Sequence, residues 1–327
     1  LGWITGGEIL YLYFILKLKQ KIMKEISDKI NLLFKPFILN LIGLIICYTF
    51  IHWLLSIKFN LFSLKNIITN LGIPIVLTGI VVRFIVMPKI KILKQNSQGR
   101  EIYSFIVWLI LTIPLIIAQE YLLTATGKLT NLTSINEINN SEPSEYYTLQ
   151  KYYISKSGRS VHSVFEASGK YNQHFNMGIY IALPIFESEK DTINEKPFAW
   201  FGVEYNRVIS NNLEPDEKKA KYQEFANKSQ KDFDNKNIAT FIYLERIGNS
   251  DDKTAYLEAI RQNTKYKPNE TIFIGKEEPY ELRNGKKLEW LLGTVIIGSI
   301  LWLLMILIPK INEKELKRIK AGKPDKV

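Results

Sequence analysis

Long apolar runs separated by charged stretches constrain this chain more than any other feature of its sequence. A hydrocarbon core about 30 Å thick is crossed by roughly 20 apolar residues in a helix. Five runs approach or meet that length, and they predict membrane helices over residues 2–18, 36–57, 67–87, 102–123 and 288–309. The first is the shortest, its apolar stretch confined to residues 9–18 behind Gly6, Gly7 and Glu8. Pro36 suits a first helical turn, and Gly72, Pro74, Gly79 and Pro114 are tolerated inside membrane helices. Trp290 and Trp302, toward the two ends of the last run, are expected in an interfacial belt. Averages hide this segregation, because 46% hydrophobic and 23% charged residues describe an ordinary globular protein.

The formal charge of +11 could signal nucleic-acid binding, so its location decides its meaning. Residues 125–287 hold 23 Lys/Arg and 23 Asp/Glu, a net of zero. The excess flanks the apolar runs instead, where Lys and Arg mark the cytoplasmic side. Lys17, Lys19, Lys21, Lys24, Lys29 and Lys35 outweigh Glu25 and Asp28 after the first run. Lys89, Lys91, Lys94 and Arg100 follow the third, and Lys310, Lys314, Lys317, Arg318, Lys320, Lys323 and Lys326 follow the fifth. Between the second and third runs stand only Lys58 and Lys65. Five spans therefore give an outside start, a basic cytoplasmic tail over 310–327 and an extracytoplasmic domain over 125–287, with 1–124 as membrane region. Nucleic acid is excluded as a partner, since a binder would carry its positive field on the folded surface.

Residues 125–287 read as an α+β domain. Strands are expected over 146–155, 161–171, 178–186 and 198–209, rich in Tyr, Phe, Val and Ile between polar turns. An amphipathic helix follows over 214–233, with Ala220, Phe225, Ala226 and Phe233 near one face. A strand over 239–245, a helix over 252–263 capped by Asp251 or Asp252, and a strand over 271–274 complete the pattern. This order suggests a largely antiparallel sheet, and residues 131–144 look like a linker.

Ionisable groups within apolar runs are functional hypotheses by default, which singles out Glu8, Arg83 and Glu120, with His52 in the second run. Arg83 can snorkel to the cytoplasmic interface, and Glu120 and His52 lie near outer helix ends. In the domain, His162 and His174 neighbour Ser160, Ser163, Ser168 and Glu166. Strand alternation would put Ser163 on the opposite face from His162, which argues against a Ser/His/acid triad. Two histidines without ligand spacing make no metal site. Gly127-Lys128, Ser157-Gly158-Arg159-Ser160 and Ser168-Gly169-Lys170 lack the strand–loop–helix setting of a phosphate loop, so turns explain them. Asn131, Asn139, Asn227 and Asn269 begin N-x-[ST] triplets of the kind an Asn-rich chain produces by chance. No catalytic, cofactor-binding or metal-binding residue is assigned.

Cys47 stands alone, so no internal disulfide can form, and its apolar run suggests a buried small hydrophobe. No basic n-region precedes an apolar stretch at the start, so a cleavable signal peptide is not indicated; the chain looks like a fragment of a longer polypeptide.

Four strings carry a resemblance. They are Ala118-Gln119-Glu120-Tyr121 with Thr124-Ala125-Thr126-Gly127-Lys128-Leu129-Thr130; Ser168-Gly169-Lys170-Tyr171-Asn172-Gln173-His174-Phe175-Asn176-Met177; Tyr243 to Asp252; and Lys317 to Pro324. Together they resemble the N-terminal membrane region of long bacterial rhomboid-family intramembrane serine proteases, which precedes the six-helix catalytic core. Catalysis in that family uses a G-x-S-G serine and a histidine within the membrane, and no apolar run here contains the motif. The resemblance implies a non-catalytic portion of a hydrolase in the bacterial cytoplasmic membrane, with an outer domain that binds a membrane-protein substrate or a protein partner. The alternative is a membrane-anchored sensor or assembly protein without enzymatic activity. Either way the lipid bilayer is a partner and no cofactor is implied.

Overall fold

A computed structural model describes residues 6–59, 64–193, 196–267 and 269–321, with side chains from Tyr13 onward. Contacts divide the chain into two units. The first comprises Leu1–Ser63, Ile67–Leu123 and Gly285–Val327; the second comprises Leu64–Asn66 and Thr124–Asn284.

The first unit is helical: α1 (Gly6–Lys29), α2 (Lys35–His52), α3 (Ile73–Val81), α4 (Met87–Ile90) and the start of α5 (Ser97–Thr126). Two helices, α6 (Pro215–Asn235) and α7 (Asp251–Arg261), belong to the second unit, and α8 (Lys287–Leu307) and α9 (Glu313–Lys320) return to the first. Wider π-helical turns join several of these. Three of them, Ile30–Phe34, Ile68–Gly72 and Val82–Val86, each end two residues before a proline: Pro36, Pro74 and Pro88. A proline ring strikes the carbonyl four residues earlier and supplies no N–H. Those carbonyls belong to Leu32, Asn70 and Phe84, inside the widened turns, which relieve the clash without ending the helix.

Four helical runs among the described residues are long and apolar enough to cross a membrane: Tyr13–Lys58, Ile68–Ile90, Ser97–Thr126 and Tyr280–Leu307. The coarse expectation of several membrane helices beside a sheet domain holds. The first expected helix is not separate, because helix continues from Gly6 through the basic stretch to Lys58. Its 46 residues from Tyr13 onward extend about 70 Å at roughly 1.5 Å per residue, more than twice the hydrocarbon thickness. Residues 2–5 of that expectation lie outside the described residues.

Apolar burial holds the first unit together. Leu41, Val107, Leu111, Trp302 and Ile306 are almost inaccessible, and the Phe37 and Trp302 rings lie 5.4 Å apart. Trp302 is therefore a core residue and not the interfacial anchor expected; Trp290 is exposed. Cys47 corrects the other way: it is exposed on the helix surface, where hydrocarbon would accept an apolar thiol as well as a protein interior does. The basic connections meet one another. Leu93 and Ile311 form an antiparallel bridge, Asn312 N–H donates to the Ile92 carbonyl at 2.7 Å, and Ile311 N–H donates to Glu25 at 3.0 Å. Buried Lys29 bonds the Leu307 carbonyl at the end of α8 and pairs with Glu25, each at 3.1 Å. Lys320 pairs with Asp28 at 2.6 Å.

The second unit is a mixed sheet between two helices. Its strands are β1 (Leu129–Ser134), β2 (Tyr146–Lys151), β3 (Tyr153–Ile154), β4 (Ser160–Ser168), β5 (His174–Phe186), β6 (Ala199–Ser210), β7 (Tyr243–Arg246) and β8 (Ile272–Lys276). They run in the order β1-β2-β7-β8-β6-β5-β3, with β4 beside β5. The β1–β2 and β6–β8 pairs are parallel and the rest antiparallel. Only Tyr152 separates β2 from β3, yet β2 pairs with β1 and β7 while β3 pairs with β5. The sheet must curl until its ends meet, so the strand expected over 146–155 is bent into two.

Alternation along β5 sends residues to both faces. Met177, Ile179, Ile181 and Leu183 pack with Phe225 and Phe233 of α6. Tyr180, Ala182 and Phe186 pack with Tyr256, Ala259 and Ile260 of α7. On α6 the buried stripe is Phe225, Ser229 and Phe233, and Ala220 is exposed. Ser250 caps α7, accepting from Lys253 N–H at 3.1 Å, in place of the expected aspartates. The expected linker over 131–144 holds most of β1 and a 3-10 turn, Ile135–Asn139.

Candidate functional site

One cluster of mostly buried polar side chains in the first unit joins three helical segments, apart from the Thr78–Thr112 pair, whose hydroxyls meet at 2.6 Å. From α2 come Tyr48, Thr49 and His52, from the third run Thr69 and Asn70, and from α5 Gln119 and Glu120. Gln119 is fully inaccessible and organises the group. Its Nε2 donates to the Leu115 carbonyl and to Thr49 Oγ1, both at 3.1 Å, so its Oε1 must be the atom facing His52. His52 Nδ1 then carries the proton and donates to Oε1 at 2.8 Å. The His52 and Tyr48 rings stack at 5.9 Å, and Tyr48 donates to the Thr69 carbonyl at 2.5 Å. Asn70 donates to Glu120 at 2.9 Å.

This arrangement is suited to joining helices, since each amide bridges elements that apolar contacts would leave free to rotate. The partner of His52 Nδ1 is an amide oxygen and not a hydroxyl. Of the other ionisable groups in apolar runs, Arg83 is exposed with its guanidinium 5.9 Å from the Phe84 ring. The Glu8 side chain lies outside the described residues.

In the second unit the serines and histidines are kept apart. Ser163 Oγ meets Tyr222 Oη of α6 at 3.0 Å. His162, on the other face, meets Gln262 just beyond α7 at 3.3 Å. Ser160 accepts from Asn263 at 2.7 Å and Ser168 from Asn176 at 2.9 Å, while His174 is an exposed residue at the start of β5. No triad forms from these residues. Among the described residues no cluster of His, Cys, Asp and Glu is arranged for a metal ion.

Two of the glycine–cation strings lie at turns, whereas Gly127-Lys128 joins α5 to β1 without one. Lys156 donates to the carbonyls of Phe233, Asp234 and Lys236, at 3.1, 3.2 and 2.6 Å, closing the C-terminal end of α6. Ser168-Gly169-Lys170 opens the β4–β5 hairpin, where Gly169 has φ +91° and Asn172 φ +53°. Beside the 157–160 turn an open polar groove of about 370 Å³ reaches Gln262 and Asn263. The guanidinium of Arg159 sits 5.5 Å from the Phe233 ring, on the α6 side of the sheet.

Comparison with family models, curated proteins and solved structures finds no match.

Two features of the second unit bear on binding. Its ends are fastened together: Arg283 donates to the Thr124 carbonyl at 2.9 Å, and Tyr280 Oη to the Gly127 carbonyl at 2.7 Å. The rings of Tyr146, Tyr243 and Tyr280 meet edge to face beside this point, 5.4 to 5.6 Å apart. The second feature is strand β4, which pairs with β5 alone among the described residues and exposes Val161 and Phe165. Sequence alternation gave the two faces of β4 but not that its edge is open, which depends on the order of strands.

Proposed function

We propose that this chain is an integral membrane protein of four crossings, and that it forms the non-catalytic N-terminal part of a rhomboid-type intramembrane serine protease. Its mixed-sheet domain then stands outside the bacterial cytoplasmic membrane and binds a protein segment, from a substrate or a partner.

The observation that carries the membrane reading is how contacts group the connections. Within the first unit, the segments around Leu93 and Ile311 pair, and Glu25, Asp28 and Lys29 of α1 bond to the same C-terminal stretch. Within the second, the connection between the second and third runs joins the domain: Lys65 pairs with Asp251 at 2.6 Å, and Asn66 N–H donates to the Asn249 carbonyl at 2.9 Å. These two groups are the ones that the positive-inside rule assigns to opposite sides. That agreement supports a cytoplasmic tail and an outer 125–287. Four crossings are favoured over five because a helix must reverse to cross twice, and helix is unbroken from Gly6 to Lys58.

The protease reading rests on the resembling strings of the sequence, which have structural places in the fold. Gln119 and Glu120 anchor the polar network, Ser168 to Met177 make the hairpin with two positive-φ residues, and Tyr243 to Asp252 run from β7 to the start of α7. Sequencing the genomic reading frame past the Val327 codon tests the protease reading. The expected result is a G-x-S-G within a following apolar span and a later membrane histidine. A stop codon at that point removes the protease reading and leaves the membrane-anchored sensor or assembly protein, which the open edge of β4 would serve equally well.

A further inference from the structure

Strand β4 is an unguarded sheet edge. Natural edge strands are blunted by lysine, proline, a bulge or a covering element, because free backbone groups invite another strand. The nine residues Ser160-Val161-His162-Ser163-Val164-Phe165-Glu166-Ala167-Ser168 contain neither lysine nor proline. Their pairing with β5 runs without interruption from Ser160↔Ala182 to Ser168↔His174, so no bulge twists the edge away. The α6 helix meets one face of this strand through Tyr222 and Gln262 beyond α7 meets the other, and among the described residues no second strand pairs with its outer edge.

The sequence of that edge is complementary to itself. Antiparallel pairing about a two-fold axis at Val164 sets His162 opposite Glu166, twice. It also sets Phe165 opposite Ser163 and Val161 opposite Ala167. Directly opposed residues are the unit of cross-strand stabilisation, and an imidazole N–H opposite a carboxylate pairs a donor with an acceptor. The imidazole is prepared for the role: Gln262 Nε2 can only donate, so His162 Nδ1 accepts at 3.3 Å and the proton of the neutral ring lies on Nε2. That N–H is a donor for the opposing carboxylate, and Glu166 is exposed. On the other face the exposed Phe165 and Val161 would be covered, each against a small residue that leaves it room. A two-fold contact of this kind uses one patch on both subunits.

We propose that two copies of this chain associate through their β4 strands, antiparallel and centred on Val164, making one continuous sheet across the dimer. The proposal does not rest on the protease reading and survives its failure.

Disulfide trapping tests it on the full chain in detergent micelles, with Cys47→Ser as background. Opposed residues in an antiparallel pair have Cα atoms about 4.5–5.5 Å apart, inside the range a disulfide spans. Val164→Cys should therefore give a covalent dimer on mild oxidation. Val161→Cys and Ala167→Cys should each stay monomeric alone, since self-separation is about 20 Å at roughly 3.4 Å per residue, and should cross-link when mixed. His162→Glu added to Val164→Cys should cut the dimer yield several-fold, and the exchange His162→Glu with Glu166→His should restore it. A folded, monomeric Val164→Cys protein overturns the proposal. So does cross-linking of Val161→Cys alone at equal yield, which would mean random collision, or capture of a different protein at Val164, which would mean a foreign strand uses this edge.

Discussion

At the scale of single residues, Gln119 shows how much one buried amide can hold. It uses its oxygen for His52 and its nitrogen for Thr49 and Leu115, so a leucine there would leave three groups to find other partners. Gln119→Leu should lower the stability of the full chain in micelles by about 1–2 kcal/mol, between the cost of an orphaned buried group and the smaller values found in membrane helices. Adding His52→Leu should recover part of the loss, read as the melting temperature of both variants. This network was not legible in the sequence, because His52 and Gln119 are 67 positions apart and nothing local pairs them. By contrast, the separation of Ser163 from His162 was legible, since a period of two along a strand is local geometry. Gly169 belongs to this scale as well. With φ +91°, Gly169→Ala should cost about 1 kcal/mol, measured as a shift in urea midpoint, while alanine at nearby Lys170 should change little.

At the scale of elements, the sheet domain is stapled by tyrosines, Tyr146, Tyr180 and Tyr256 buried and Tyr205 half-buried. Burial is the main cause that raises the pKa of Tyr146, Tyr180, Tyr205 and Tyr256 above the ordinary value of 10.0. The neighbouring carboxylate Asp252, to which Tyr180 donates at 2.8 Å, adds to the effect for Tyr180. A phenol whose folded pKa lies above its unfolded value favours the folded state fully below the unfolded pKa, and loses that contribution as pH rises toward the folded one. Stability of the domain should thus be flat in neutral solution and fall above pH 10. The phenolate absorbance of these four residues should rise together with loss of the sheet signal in circular dichroism, not before it. Most strands and both helices of this domain could be read from residue pattern. The exceptions are instructive: β1 has the polar sequence Leu-Thr-Asn-Leu-Thr-Ser and is a strand because β2 offers it a parallel edge, and the bend at Tyr152 follows from sheet curl, which no local pattern encodes.

At the scale of the whole chain, the helix from Gly6 to Lys58 bears on the proposed count of crossings. Apolar run length alone suggested two helices with a basic loop, because hydropathy does not distinguish a loop from a charged stretch of helix. Impermeant thiol labelling of intact cells separates the two topologies, in the Cys47→Ser background. Lys228→Cys, exposed on α6, should label, and Lys317→Cys, exposed on α9, should not. Gly6→Cys decides the count: protection, matching Lys317→Cys, is expected for four crossings, and labelling would restore the fifth. Ser144, in the loop before β2, is a poor site for such a probe because it is buried against Tyr147 and Thr130.

The fastening of Arg283 to Thr124 and of Tyr280 to Gly127 has an architectural consequence. The 124–284 segment of the second unit, whose first and last residues touch, enters and leaves the chain at neighbouring points, with Leu64–Asn66 docking on it from elsewhere in the chain. This segment of 161 residues from Thr124 to Asn284 can therefore be cut out or inserted at one place in the chain without stretching its ends apart. Joining its ends with a few residues and opening the chain elsewhere, for instance in the exposed turn at Lys170, should yield a permuted domain that still folds.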